Sequence, residues 1–346
     1  MTEILIVGGG IVGVAIAYAL RDQRSVTVLT GAEDPPATTA ALGVLHGISS
    51  KQASGVATDL RLQSWQSWQT WFTELALEPL RGLRKLVPET EVDQWQATLT
   101  ARRAAGYDVD WAEPIATGYH TLWSPGDAQL DPLATLAALR FASPNVTFCS
   151  ERVVQLERTD QRISAVTTTQ QRYTPNWVIL AAGLASQTLA AQIGLDLPLQ
   201  GVKGTALEVE LASEPPPLTA SPDCNWVPRA AKRLWIGATV DFQATEPTPT
   251  AAELATLQQE TATIWPRLAV SQTISTWSGW RPRPKRQRAP IIGQALANLW
   301  LATGHYRNGI LLAPITALIL RDLLLHGRTE RVDIANFAPK GLESGK

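Results

Sequence analysis

The first thirty residues carry the feature that most constrains how this chain can fold. An apolar run, Ile4–Val7, is followed by a turn containing Gly8, Gly10 and Gly13, an apolar helical run, and a second apolar strand at Val26–Leu29. This order predicts a dinucleotide-binding unit, in which Gly8 permits the tight turn, Gly10 admits a pyrophosphate and Gly13 lets helix and strand pack closely. The pyrophosphate would lie on free N–H groups at the helix N-terminus. A glycine turn that serves packing alone is the alternative.

Composition excludes several classes of protein. The 346 residues favour two domains over one, and 30 Lys and Arg against 31 Asp and Glu give no global reason to expect nucleic acid or an anionic membrane as a partner. Two cysteines, Cys149 and Cys224, make neither a disulfide framework nor a metal site, and the four histidines lack metal-ligand spacing. No signal peptide is expected before the first strand, and the apolar segment 309–325 contains Pro314 and is cut by charges. A soluble cytoplasmic protein is expected.

The residues after the second strand leave the ribose contact open. Many dinucleotide-binding units place an acidic residue there, whereas this chain has Thr30. Either the Thr30 hydroxyl contacts the ribose or Glu33 reaches back to it. The small, uncharged segment 37–45 could bring backbone amides and the hydroxyls of Thr38 and Thr39 close to phosphate oxygens. A plain surface loop is the alternative for this segment.

The remaining chain alternates helices and short strands. Apolar residues at helical spacing over 60–77 predict a packing helix, and Asp131 followed by proline predicts the start of another. Residues 86–131 show an irregular pattern. The apolar strand 177–180 ends in Ala181, Ala182 and Gly183, which would let a cofactor pass closely. Further strands are predicted at 146–148, 153–156, 163–169, 172–173, 206–211, 224–227, 234–237, 274–280 and 299–302, and further helices at 250–265 and 309–325.

Several separated segments together resemble one enzyme family. They are residues 7–13, 40–43, 202–204, 227–229, 236–239, 279–282, 290–293 and 304–314. In this order they resemble the flavin-dependent amino-acid oxidases of the D-amino-acid oxidase class, and within it the glycine oxidases of thiamine biosynthesis. The resemblance covers nearly the whole chain.

The resemblance implies an α/β fold, α+β overall, in which a doubly wound FAD-binding domain is interleaved with an antiparallel-sheet substrate domain. The expected FAD-binding domain comprises residues 1–84, 132–200 and 288–346, and the substrate domain 85–131 and 201–287. FAD would be held non-covalently, because neither cysteine stands where covalent sarcosine oxidases use one. The residues expected to bind FAD are Gly8, Gly10, Ile11, Val12, Gly13, Thr30, Thr38, Thr39, Ala40, Gly43, Val44, Leu45, Val153, Ala182, Gly183, Gly304, His305, Arg307, Asn308, Gly309, Ile310 and Leu311. For Val153, core packing is an equal interpretation.

The resemblance also implies a substrate site. Arg281 would grip the substrate carboxylate, which suits its planar fork of donors. Arg307, in the loop facing the flavin pyrimidine, would add positive charge or border the pocket, and His305 in that loop is interpreted as structural. Asn225 stands where glycine oxidases have a tyrosine, and Val44 where they often have methionine, so we expect a reshaped pocket.

The expected reaction is oxidative deamination of a small amino acid or amine, such as glycine, sarcosine or a D-amino acid, to an imino acid, with O2 as acceptor and release of H2O2. No nucleic acid, membrane or metal is expected to take part, and homo-oligomerisation is left open. The alternatives are a dehydrogenase that uses another acceptor and an FAD-binding protein that has lost turnover.

Overall fold

A computed structural model of the chain describes residues 2–31, 37–269 and 271–342. Within these ranges the helices are α1 Ile11–Leu20, α2 Val56–Glu74, α3 Val92–Ala104, α4 Pro132–Phe141, α5 Ala185–Gln192, α6 Ala251–Ile264 and α7 Gly309–His326. The strands are β1 Ile4–Val7, β2 Val26–Leu29, β3 Val44–Leu45, β4 Leu80–Pro88, β5 Asp110–Ala112, β6 Tyr119–Gln129, β7 Thr147–Cys149, β8 Val153–Thr159, β9 Arg162–Thr168, β10 Arg172–Tyr173, β11 Trp177–Leu180, β12 Leu199–Glu210, β13 Thr219–Ala220, β14 Asn225–Arg229, β15 Arg233–Gly237, β16 Gln272–Pro284, β17 Ile291–Leu296 and β18 Leu299–Thr303.

A six-stranded sheet in the order β17-β18-β11-β1-β2-β7 forms the centre of the nucleotide-binding half. Its strands are parallel except β17, which pairs antiparallel with β18 at the edge. Ile4 and Ile6 of β1 pack in the core with α1 and α7, whereas Leu5 and Val7 pack in the core on the opposite face. A strand covered on both faces must be apolar throughout, as this run is. The predicted α/β class is confirmed.

Helix α7 lies in the core between α1 and α2. Its length and apolar composition would suffice for a membrane span, yet residues 310–317 are all buried within the fold. Pro314 has no N–H to give to the carbonyl of Ile310, four residues earlier. The indole Nε1 of Trp68 instead donates to the carbonyls of Ile310 and Leu311, at 3.1 Å each. The aromatic stripe of α2 is therefore a packing surface, as predicted, and it also replaces the hydrogen bond that Pro314 removes.

A nine-stranded, mainly antiparallel sheet forms the second layer. Its order is β16-β12-β15-β14-β13-β4-β6-β3, with β5 paired to β6, and only β13 and β4 run parallel. Strand β4 continues through the predicted domain boundary at 84–85, and β12 through the one at 200–201. The division into two domains stays a prediction.

The irregular pattern expected over 86–131 is wrong. This segment contains the end of β4, then α3, β5 and β6. In α3 the buried residues are Trp95, Thr98, Leu99 and Arg102, which follow helical spacing although two of the four are polar. The buried Arg102 guanidinium donates to the carbonyls of Ile48, Gln52 and Ala53. Among the described residues it has no carboxylate partner, and these carbonyls satisfy its donors instead. A pattern of apolar residues alone did not reveal this helix.

The two helix starts predicted from capping residues are confirmed. The Asp131 carboxylate accepts from the N–H groups of Leu133 and Ala134 at 3.0 Å each, and Pro132 occupies the first turn of α4. Thr250 and Glu253 form a reciprocal capping box at the start of α6. Local side-chain chemistry is therefore sufficient to fix these two boundaries.

Candidate active site

One cavity of about 1150 Å³ lies between the carboxyl ends of β1, β11 and β18 and the inner face of the nine-stranded sheet. It is larger than the roughly 300–1,000 Å³ typical of sites for drug-sized ligands. Its position outside the carboxyl ends of parallel strands is the place where doubly wound sheets bind their ligands. The cavity therefore has the location and size for an extended cofactor together with a small substrate.

Glycines shape the end of the cavity beside α1. At Gly8, where φ is 123°, an added Cβ would lie 2.3 Å from the carbonyl oxygen of Ala181. At Gly13 an added Cβ would lie 1.9 Å from the Gly8 carbonyl oxygen, so this glycine is required for packing of the helix on the turn. The N-cap residue of α1 is Gly10, which has no side chain, and within the described residues Thr38 Oγ1 accepts from the Ile11 N–H at 3.0 Å. The N-terminal turn of α1 thus faces the cavity with donors available for a phosphate.

The loop before α7 forms the middle of the cavity wall. Gly304 adopts a φ of 68°, and an added Cβ would lie 2.7 Å from Pro284 Cγ, so a glycine is needed there. His305 is 4% exposed, and its Nε2 lies 3.0 Å from Thr316 Oγ1. Burial lowers the pKa of His305 to about 3, so the ring is neutral near pH 7. These contacts agree with a structural histidine that also borders the cavity.

Arg281 faces the cavity from β16. Its Nη1 donates to the carbonyl of Thr239 at 2.8 Å and that of Lys203 at 3.3 Å. Gly204 makes room for it, because an added Cβ there would lie 2.1 Å from Arg281 Nη2. Burial, reinforced by the charge of Arg307, lowers the Arg281 pKa to about 10, and no carboxylate among the described residues pairs with it. The remaining donors of the fork are available to an anionic ligand.

Asn225 and His46 form a hydrogen-bonded pair that also lines the cavity. Asn225 Nδ2 donates to the carbonyl of Gly237 at 3.1 Å, and its Oδ1 lies 3.3 Å from His46 Nε2. Since an amide oxygen only accepts, His46 donates from Nε2 and its Nδ1 is an acceptor, which has no partner within the described chain. Burial, together with the charge of Lys85, lowers the His46 pKa to about 3. The pair is therefore neutral.

Positively charged side chains dominate the part of the cavity around His46. Lys85, Arg61 and Arg307 line it, and all three lower the pKa of His46. Burial lowers the pKa of Lys85 to about 8. The nearby Asp127 carboxylate accepts from the backbone N–H groups of residues 47, 48 and 49, at 2.7–2.9 Å. Burial raises the pKa of Asp127, and these backbone donors oppose that rise.

Most of the residues predicted for the site lie together around the cavity. They are Gly8, Gly10, Ile11, Val12, Thr30, Thr38, Ala40, Gly43, Val44, Val153, Ala182, Gly183, Asn225, Arg281, Gly304, His305, Arg307, Asn308, Gly309, Ile310 and Leu311. Gly13, Thr39 and Leu45 are not among the lining residues. Leu45 is buried in the core on the α1 side, because alternation in β3 turns it away from Val44. Glu33 lies outside the described residues, so the choice between it and Thr30 stays open.

The sequence analysis missed several residues that line the cavity. They are His46, Ser49, Ser50, Lys51, Gln52, Arg61, Lys85, Glu151, Arg152, Thr188, Gln192, Gly279 and Tyr306, among others. A signal existed for Lys85, since Leu83, Lys85 and Val87 alternate along β4 and a lysine between two buried residues on one strand face is unusual. It was missed because this segment was not assigned as a strand.

Comparison with known proteins agrees with this arrangement. Glycine oxidase from Geobacillus kaustophilus is 29% identical over 97% of this chain and 96% of its own length. Its crystal structure gives a TM-score of 0.87 with 97% of both chains covered. The bifunctional ThiO/ThiG protein of Synechocystis is 31% identical over 98% of this chain, which spans only 54% of that relative. Iminodiacetate oxidase from Chelativorans has the same fold, with a TM-score of 0.88 at 21% identity over 99% of this chain and all of that one.

The family assignment rests on the whole length of the chain. The characteristic sequence pattern of the FAD-dependent oxidoreductases of the DAO type matches residues 3–323. That span includes the glycine turn, the nine-stranded sheet and all but the end of α7. This chain belongs to the DAO family of FAD-dependent oxidoreductases.

Proposed function

We propose that this enzyme oxidatively deaminates a small amino acid or amine, with glycine, sarcosine and D-amino acids as the candidate substrates. The observation that carries the proposal is Arg281, whose guanidinium faces the cavity without a carboxylate partner among the described residues. FAD supplies the two-electron oxidation that converts the substrate C–N bond to C=N, O2 takes up the electrons as H2O2, and water then hydrolyses the imine.

The residues at the α1 end fit the diphosphate of FAD. The N-terminus of α1 has Gly10 at its N-cap position, and although the Ile11 N–H donates to Thr38, the turn offers further backbone donors and a favourable dipole to an anion. At Gly10 an added Cβ would meet Thr38 Oγ1 at 3.2 Å, so a side chain there would crowd the hydroxyl that borders the phosphate position. We propose that Gly8, Gly10, Ile11 and Thr38 hold the diphosphate, and that the loop 304–311 holds the flavin end.

Arg281 would fix the substrate by its carboxylate. A guanidinium pairs with a carboxylate through two parallel hydrogen bonds, which set orientation as well as affinity. Its backbone acceptors, Thr239 and Lys203, fix the fork before substrate arrives. Binding then requires little reorganisation of the protein, which places the α carbon reproducibly for reaction.

The charges around the cavity also favour the neutral form of the substrate amine. Arg281, Arg307 and Lys85 create a positive field, and positive neighbours lower the pKa of an amine. His46 and His305 are neutral and therefore add no charge to this field. A neutral amine is the form whose lone pair can become part of the C=N bond. In this proposal no side chain has to act as a dedicated general base.

The purified flavoprotein provides the direct test. Glycine, sarcosine and a panel of D-amino acids are added anaerobically while the flavin absorbance is recorded, and H2O2 is measured in air. We expect at least one of them to bleach the flavin absorbance without air. In air, the same compound should give H2O2 in an amount equal to the imine formed. Bleaching without H2O2 would indicate a different electron acceptor, and failure of every amine to bleach bound flavin would refute the proposal.

Arg281→Ala tests the assigned carboxylate contact. Loss of a charged, bidentate contact costs about 3 kcal/mol, so we expect kcat/KM to fall on the order of a hundredfold. The matched control is Arg286→Ala, because Arg286 is exposed and pairs with Asp196 outside the cavity. An Arg281→Ala enzyme with unchanged apparent substrate affinity would contradict the assignment.

We also propose that the enzyme acts in the cytoplasm and that the individual FAD contacts are those named above.

A further inference from the structure

Lys85 and Asn225 lie in one row across the inner face of the nine-stranded sheet. Lys85 of β4 is in register with Ala220 of β13, which is in register with Asn225 of β14. Neighbouring strands are about 4.8 Å apart, so the two backbones are separated by roughly 10 Å. Both side chains line the cavity, as does Ser221, which follows Ala220. The row therefore forms a continuous wall on the side of the cavity across the sheet from β16.

The Lys85 ammonium has no direct anionic partner in the described part of the chain. No hydrogen-bond acceptor pairs with it, and the Asp127 carboxylate, although close enough to raise the Lys85 pKa, does not come within ion-pair distance. The nearest defined contact is the ring of Trp95, whose centroid is 5.5 Å from Nζ. The Lys85 side chain is half-buried at the cavity wall. An ammonium that lines the cavity with no anion beside it points to an anion that binds from the cavity.

Two further cations of the cavity wall also lack an anionic partner in the described part of the chain. Arg61 of α2, which is half-buried, and Arg307, which is exposed, line the same part of the cavity, and neither has a hydrogen bond or ion pair within the described ranges. Lys51, by contrast, pairs with Glu91 at 2.9 Å. One carboxylate on Arg281 would leave Lys85, Arg61 and Arg307 without an anion. The charge of the site thus exceeds what a simple monocarboxylic amino acid would neutralise.

We propose that the preferred substrate carries a second carboxylate, and that Lys85 is the specificity-determining residue that binds it. The inference rests on the amine-oxidising function proposed above and narrows its substrate class to acidic amino acids. Arg281 would hold the carboxylate next to the reacting carbon, and Lys85, supported by Arg61 and Arg307, the distal one. The neutral pair of Asn225 and His46 would line the space between them, where Nδ1 of His46 has an unused acceptor position.

Equilibrium binding to the oxidised holoenzyme tests the charge subsite without requiring turnover. Succinate and glutarate are compared with butyrate and pentanoate, which have the same number of carbons and one carboxylate fewer, by the change in flavin absorbance. A hydrogen-bonded charge pair contributes about 1.5–3 kcal/mol, so we expect the dicarboxylates to bind about ten- to a hundredfold more tightly. Equal affinities for the two series would overturn the proposal.

Lys85→Met tests the residue itself, since methionine keeps the length and removes the charge. We expect the ratio of kcat/KM for D-aspartate or D-glutamate to that for D-alanine to fall at least tenfold, and the advantage of succinate over butyrate to disappear. Lys51→Met is the matched control, because it removes a charge from the same cavity that is already paired; both ratios should change less than threefold. If Lys85→Met binds no flavin, Lys85→Gln takes its place.

The outcomes separate this inference from the function on which it rests. If amino acids bleach the flavin but Lys85→Met leaves both ratios unchanged, the oxidase function stands and the second carboxylate is refuted. If dicarboxylates bind through Lys85 but no amine bleaches the flavin, the anion subsite stands and the oxidase function is refuted. If Lys51→Met lowered both ratios as much as Lys85→Met does, the effect would come from the general positive field of the cavity. A specific role for Lys85 would then be refuted.

Discussion

Asn225 is a neutral residue of the pocket, at the position where the resemblance implies a tyrosine in glycine oxidases. Its amide donates to Gly237 and accepts from His46, which leaves one N–H for a ligand. Asn225→Asp keeps the shape but adds a negative charge beside the substrate. We expect the affinity for an anionic substrate to fall by about ten- to a hundredfold, because a like charge costs about as much as an opposite charge contributes. Asn225→Ser, which removes the amide without adding charge, is the control.

Substrate titration of the flavin absorbance measures this effect at several salt concentrations. If the cause is electrostatic, substrate affinity should fall further in Asn225→Asp than in Asn225→Ser. The difference between the two variants should become smaller at higher salt. Equal losses in the two variants would show that the amide contact, and not the charge, matters at this position.

His305 makes stability depend on pH. Its pKa is about 3 in the folded protein, below the ordinary value of 6.5, because burial disfavours the charged ring. The unfolded chain therefore binds a proton between pH 6.5 and 3 that the folded protein does not, and stability is lost as pH falls through this range. The contribution is about 1.4 kcal/mol per pH unit for one histidine.

Urea unfolding between pH 6 and 4, at fixed FAD concentration, checks this prediction. His305→Asn should lower the slope of unfolding free energy against pH by about 1.4 kcal/mol per unit. His120→Gln is the control, since His120 is exposed on β6. An unchanged slope in His305→Asn would contradict the burial of a neutral ring.

At the scale of elements, an ion pair joins α6 to β12 and thereby supports Arg281. Lys203 Nζ lies 3.0 Å from Glu253 Oε2, with 2% and 13% of the two side chains exposed, and also donates to the Thr248 carbonyl. The Lys203 carbonyl in turn accepts from Arg281. Removing one partner of a buried pair is costly because the other charge is left without compensation. The pair therefore couples stability of the sheet edge to the geometry of the substrate site.

Glu253→Gln isolates the charge in this contact. Glutamine at the third position of α6 can still complete the capping box, so the loss should come mainly from the unpaired Lys203. We expect the free energy of unfolding to fall on the order of 3 kcal/mol. Thr250→Ala, which removes the cap and keeps the ion pair, should cost about 1 kcal/mol. Equal losses in the two variants, measured by urea unfolding, would contradict the assigned role of the pair.

The elements that could be predicted from sequence are those whose signals are local. The β1–α1–β2 unit has continuous apolar strands and glycines at fixed spacing, and α4 and α6 begin at side chains that cap their own backbone. Helix α3 was not predictable in this way, because half of its buried positions are polar and find their partners far away in sequence. The same applies to the site. The glycines were predicted, whereas Lys85 was missed because β4 was not assigned, and Arg61 reaches the cavity only through tertiary packing.

At the scale of the whole molecule, the cavity joins the two sheets, so cofactor binding should hold them together. Its wall includes Gly8 after β1, Gly304 after β18 and Arg281 of β16, which are far apart in sequence. A ligand that binds only the folded state adds RT ln(1 + [L]/Kd) to stability, about 4 kcal/mol when free FAD is a thousand times Kd. Without FAD, the cavity of about 1150 Å³ would be open to water.

We therefore expect the protein stripped of FAD to unfold at a lower temperature and to recover its Tm as FAD is added back, with the increase following the logarithm of FAD concentration. Riboflavin is the matched control, since it lacks the diphosphate that the α1 N-terminus is proposed to bind. If riboflavin restored Tm as fully as FAD at the same free concentration, the diphosphate would contribute nothing to stability. The first thirty residues would then serve packing, which is the alternative that the glycine turn alone left open.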